Sequence, residues 1–134
     1  MERFQWTDQY NTGISIIDMQ HKELFRRIDN LALAVYDGEG KPALKTLLEF
    51  LDSYVTEHFQ TEEGYMKKNN YPVFEKHLEK HHTFRKLLSD VEQEFNNRGG
   101  DTYLAIRVEK EIRKWWENHI LQTDMEYVPY MKNI

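Results

Sequence analysis

Glycine, proline and asparagine gather in three short clusters, and little else in this 134-residue chain interrupts a helical pattern. The clusters are Asp37-Gly38-Glu39-Gly40-Lys41-Pro42, Asn69-Asn70-Tyr71-Pro72 and Asn96-Asn97-Arg98-Gly99-Gly100-Asp101. Between them, segments of roughly twenty to twenty-five residues repeat apolar side chains at i, i+3, i+4 and i+7. Helices are expected over about 18–37, 42–68, 72–96 and 101–121, after an arm of 1–17 and before a short C-terminal segment of 122–134. Asp18 suits an N-cap, and Pro42 and Pro72 suit first helical turns. No stretch alternates with period two for long enough to make a strand. Short connections between helices of similar length predict an all-α fold, an antiparallel up-down-up-down four-helix bundle, formed by 1–134 as a single domain. Phe4, Trp6, Tyr10, Ile14, Ile16 and Ile17 are too apolar for a free tail, so the arm is expected to pack across the bundle.

Composition removes several function classes. The chain has no cysteine, which excludes disulfides, thiolate zinc sites, cysteine-held iron–sulfur clusters and a cysteine nucleophile. Lys and Arg total 18 against 23 Asp and Glu, and no basic patch offsets the net charge of −5, so no nucleic-acid or acidic-lipid partner is expected. The longest apolar run, Leu31 to Tyr36, is far too short for membrane insertion. The first residues have no secretory character, which makes a cytoplasmic protein the expectation.

Six histidines remain to be explained, and five fall on the apolar stripes. His21 shares the first stripe with Ile17, Leu24, Phe25 and Ile28. His58 and Glu62, spaced i, i+4, continue the stripe of Leu51 and Val55 on the second helix. His77 and His81 repeat that spacing on the third. His119 ends the stripe of Leu104, Val108, Ile112 and Trp115 on the fourth, with Asp124 five residues on. At about 100° per residue Asp124 lies about 140° further round, so it joins His119 only if the helix loosens or ends there. In an up-down bundle, ligands meet when they lie early on odd helices and late on even ones, and every one of these does. Burying so many titratable groups without a partner is costly, so the pattern predicts a metal site.

Five imidazoles and two carboxylates exceed what one ion can take. Nitrogen and carboxylate donors without sulfur suit iron, manganese or zinc. Around two octahedral ions, five histidines, two bridging carboxylates and a bridging hydroxide leave one position open, which suits a small diatomic ligand. His82 lies off the stripe. Glu79-x-x-His82 occurs once, whereas ferritin-like di-iron bundles need such a pair on each of two helices.

The combination resembles the hemerythrins, in particular the single-domain bacterial ones. The matching residues are Ile17-Asp18-Met19-Gln20-His21, His58-Phe59-Gln60-Thr61-Glu62-Glu63 with Met66, and Tyr71-Pro72. They continue with His77-x-x-x-His81-x-x-Phe84 and His119-Ile120-x-x-x-Asp124-x-x-Tyr127, while Trp6 and Gly13-Ile14 resemble the family's arm. The resemblance implies a non-haem di-iron centre that binds dioxygen reversibly, for storage, delivery or buffering, in a protein that is not an enzyme. It implies that His77, His81 and His119 hold one iron, that His21 and His58 hold the iron with the open position, and that Glu62, Asp124 and an oxo or hydroxo group bridge them. Leu24, Phe59, Trp115 and Ile120 would wall the oxygen pocket, and the chain would be a monomer. The protein that would receive the oxygen is not specified by the sequence. The alternatives at the same site are oxygen, nitric oxide or redox sensing, or a di-iron oxidase or peroxidase activity.

Overall fold

Four apolar stripes can be buried together only if each helix lies beside others, and short connectors force successive helices to run antiparallel. The computed structural model describes residues 3–99 and 101–131. Residues 1 and 2 of the expected arm, Gly100, and 132–134 of the expected C-terminal segment lie outside them. The helices are α1 (Ser15–Tyr36), α2 (Gly40–Lys68), α3 (Phe74–Arg98) and α4 (Thr102–Asn118). A π-helical stretch, His119–Asp124, continues α4 into a short α5 (Met125–Tyr127) and a 3-10 turn, Val128–Tyr130. Helix α1 packs against α2 and α4, and α2 packs against α3, in a four-helix bundle.

Three helix boundaries differ from the expected ones, each for a local reason. Helix α1 begins at Ser15, and Asp18 is not its cap. From within the first turn, the Asp18 carboxylate reaches back to accept from the Thr12 N–H (2.9 Å), the Thr12 hydroxyl (2.7 Å) and the Gly13 N–H (3.1 Å). It pins the arm where Gly13, at φ +82°, turns it. Helix α2 starts at Gly40, two residues before Pro42. A Cβ at Gly40 would sit 3.2 Å from both Ala105 Cβ and Val35 Cγ2, so the missing side chain lets α2 begin against its neighbours. Helix α3 starts at Phe74 because Pro72 lies in a turn that follows left-handed Asn70 (φ 53°). The expected start of α4 agrees with its N-cap, where the Asp101 carboxylate accepts from the Leu104 N–H at 2.7 Å.

The arm lies over α1. Phe4 stacks on Phe25 with centroids 4.0 Å apart, and Tyr10 and Trp6 meet the same ring edge-on at 4.7 and 5.3 Å. The Phe4 N–H donates to Asp29 at 2.9 Å, and Arg3 forks onto the same carboxylate. Ile16 is the exception among the arm's expected apolar contacts, being exposed on the first turn of α1.

Among the described residues the interior has two apolar clusters. The larger runs along the bundle through Leu24, Ile28, Leu44, Leu51, Phe84, Leu104 and Ile112. The smaller comprises Ile14, Ile17, Met66, Tyr71 and Tyr127.

Candidate metal centre

The titratable side chains of the inner stripes meet at one end of the bundle. His21 comes from α1, His58 and Glu62 from α2, and His77 and His81 from α3, each pair one turn apart. His119 and Asp124 bound the π-helical stretch. That stretch resolves the mismatch of an i, i+5 pair. An α-helix would carry Asp124 away from His119, but the wider turn brings Asp124 Oδ1 to 3.0 Å from His119 Nε2. All seven side chains are buried.

Their donor atoms fall into two groups that could each hold an ion, Glu62 with His77, His81 and His119, and His21, His58 and Glu62 with Asp124. Within each group these atoms lie within 4.8 Å of one another. Glu62 belongs to both, its Oε1 lying 3.2 Å from His58 Nε2 and 3.3 Å from His81 Nε2. Asp124 also reaches both sides, with Oδ2 3.3 Å from His21 Nε2 and Oδ1 3.3 Å from His77 Nε2. His21 and His58 turn their Nε2 atoms toward each other at 3.1 Å. Few of these contacts have hydrogen-bond geometry. Glu62 Oε1, both Asp124 oxygens and Nε2 of His77, His81 and His119 are buried without a hydrogen-bond partner. So many inward lone pairs, all nitrogen or carboxylate oxygen, fit hard or borderline metal ions.

Charge supports the same fit. Burial pushes both carboxyls toward the neutral form, and so does their mutual repulsion at Glu62. The imidazoles outweigh this: His58 and His81 hold Glu62 below the usual carboxylate range, and His119, His21 and His77 do so for Asp124. Burial pulls His58 below the ordinary imidazole value against the attraction of Glu62. At His81 burial is overcome by Glu62 and Glu63, and the value rises.

Three side chains that brace this cluster carried no assigned role in the sequence reading, although Gln20, Glu63 and Tyr127 all stand in the motifs quoted there. Gln20 Oε1 meets His58 Nδ1 at 2.7 Å, and Glu63 Oε2 meets His81 Nδ1 at 2.8 Å. Each fixes the ring so that the other nitrogen points inward. The Tyr127 hydroxyl donates to Glu62 Oε2 at 2.6 Å, and burial beside Glu62 pushes its phenol well above the ordinary value, so it stays a donor. Adjacency to a ligand candidate, or a one-turn spacing from it, was the available signal.

The expected wall residues divide. Leu24, Phe59 and Ile120 are fully buried, and Phe59 stacks flat on His81 at 3.8 Å. Trp115 is only half-buried and stacks on His119 at 4.4 Å, on the three-histidine side. The fully buried indole is Trp116, whose ring lies 5.6 Å from His58 and 6.4 Å from His21. The apolar ridge of α4 follows i+4 steps through Leu104, Val108, Ile112 and Trp116, which turns Trp115 off the inner face. His82 is exposed and away from the cluster. Among the described residues, no helix is long and apolar enough to cross a membrane.

Comparison with known proteins gives the same picture. The family model described as Hemerythrin HHE cation binding domain matches residues 12–131. A Bacteriohemerythrin of Pseudomonas paraeruginosa is 30% identical over 133 residues, covering 99% of this chain and 84% of its own. A Bacteriohemerythrin of Methylococcus capsulatus is 28% identical, with 96% and 97% covered. A Myohemerythrin of Theromyzon tessulatum is 29% identical, with 94% and 92% covered. With the family model matching from the arm to the turn beyond Asp124, this chain belongs to the hemerythrin family.

Proposed function

We propose that the chain binds dioxygen reversibly at a non-haem di-iron centre, with His77, His81 and His119 serving one iron and His21 and His58 the other. The observation that carries this reading is the sharing of carboxylates. Glu62 Oε1 lies between a histidine of each group, and Asp124 presents one oxygen to His21 and the other to His77 and His119. Two iron ions, when bound, supply the electrons that make attachment of dioxygen possible and reversible.

The chain's own residues do the rest. Glu62 and Asp124, kept ionised by their histidines, balance the charge of two cations in a dry interior. Gln20 and Glu63 fix two imidazoles, and Tyr127 holds Glu62 by the oxygen that faces neither His58 nor His81. The side with two histidines rather than three has the coordination to spare, so the exogenous ligand belongs there. Phe59 and Trp116, fully buried against His81 and beside His58, with buried Leu24 one turn from His21 and Ile120 next to His119, make a largely apolar lining suited to keeping water and protons out. Binding without consumption depends on that exclusion, and it favours a carrier over an oxidase.

The test is anaerobic loading with ferrous iron, a count of iron per chain, and repeated admission and removal of oxygen under visible spectroscopy. Two irons and a colour change that repeats are expected. One ion per chain overturns the di-iron reading. Two irons with peroxide released on first contact with oxygen replace the carrier with an oxidase.

A further inference from the structure

Beside the His21–His58 half lies an indole ring whose N–H the centre as described does not employ. Trp116 is completely buried, and its ring lies 5.6 Å from His58, 5.7 Å from Phe59, 6.3 Å from Tyr54 and 6.4 Å from His21. Its indole Nε1–H has no hydrogen-bond acceptor. A buried N–H left unpaired is costly, and phenylalanine or leucine could fill this apolar space without that cost. The other donors here are committed. Tyr54 donates to the Gln20 carbonyl at 2.7 Å, Tyr127 to Glu62 at 2.6 Å, and His58 Nδ1 meets Gln20 at 2.7 Å. His21 Nδ1 also lacks a partner, but it lies across the ring from the Nε2 that faces His58 and Asp124.

We propose that the Trp116 indole N–H is the hydrogen-bond donor to the small ligand held in the His21–His58 half. This rests on the di-iron reading. Its consequence is selectivity: a donor in a dry pocket favours ligands whose outer atom gathers negative charge, such as dioxygen or azide. A hydrogen bond to a charged acceptor in such a place corresponds to roughly ten- to hundred-fold in affinity.

Azide is the probe, added to the diferric protein and followed by its visible band and by the infrared stretch of the azide itself. Trp116→Phe is expected to weaken azide binding roughly ten-fold or more and to move the azide stretch. The wild-type protein, prepared in light and in heavy water, is expected to show an isotope shift of that stretch, a readout that needs no variant to fold. A Trp116→Phe protein that matches wild type in affinity and stretch overturns the proposal, as does a wild-type stretch indifferent to deuterium. Wild-type protein that holds two irons yet takes up no azide overturns it too. Protein that holds no pair of irons fails at the di-iron reading itself, which the iron count distinguishes.

Discussion

The two ends of the bundle are built from the same four helices under opposite rules. At one end Leu44, Leu104, Ala105 and Val108 are fully buried, and α2 begins so close to its neighbours that a Cβ at position 40 would press on Ala105 and Val35. Residue choice there is dictated by volume. At the other end seven buried positions carry imidazole or carboxylate, and their choice is dictated by which atoms can donate a lone pair inward. Stability should therefore be concentrated at the apolar end and chemistry at the polar one, with α1 to α4 as the rigid link between them.

The sharpest way to break that division is Leu44→Ala. It should cost roughly 2–5 kcal/mol in denaturant unfolding while leaving the metal content of the folded protein unchanged. A change in metal content would show that the two ends are not separable. Glu63→Gln tests the opposite end. It should lower metal affinity roughly 10–100-fold, about 1.4–2.7 kcal/mol, by removing the charge behind His81, and leave the melting temperature of metal-free protein close to wild type.

Two smaller effects sharpen the boundary between the ends. Asp29→Ala should cost about 1–2 kcal/mol, mainly by orphaning the buried Phe4 N–H, since the ion pair with half-exposed Arg3 is screened. Burial works against Asp29 ionisation, but Arg3 and the Phe4 N–H hold it below its ordinary 3.8. A depressed folded value contributes stability above the unfolded one and loses it as pH falls through the folded one. The difference between wild type and Asp29→Ala should thus be flat from neutral pH to about pH 4 and shrink below it, as melting curves of metal-free protein would read. Last, Asp101→Ala should cost about 1 kcal/mol by uncapping α4, measured by thermal unfolding, with no effect on the visible spectrum of the loaded protein.

Helix number, helix order and the convergence of five histidines were legible because each depends on periodicity and direction alone. What periodicity could not carry was finer than one helical step. Trp115 and Trp116 stand about 100° apart on α4, and either continues a stripe that includes Ile112. The choice between them was settled by how α4 leans on its neighbours. The start of α1 was misread because Asp18 has the residue type of a cap but bonds backward to Thr12 and Gly13 from inside the helix. The spacing of His119 and Asp124 did state its own condition, a loosened helix, but nothing in the residues between them announces a π-helical stretch. The roles of Gln20, Glu63 and Tyr127 depend on which way a side chain points once the rings are placed, a decision made by packing.

Asp124 touches histidines of both groups, and that reach has a consequence in time. At translation rates of about 5–20 residues per second, Asp124 is synthesised roughly 5–20 s after His21. Until then a nascent chain can gather His21, His58, Glu62, His77 and His81 with Glu62 alone facing both sides, and it lacks the second shared carboxylate. Among the described residues, only α5 and a 3-10 turn are made after the π-helical stretch that closes the cluster. Completion of the cluster is thereby deferred until nearly all of the bundle exists to hold it.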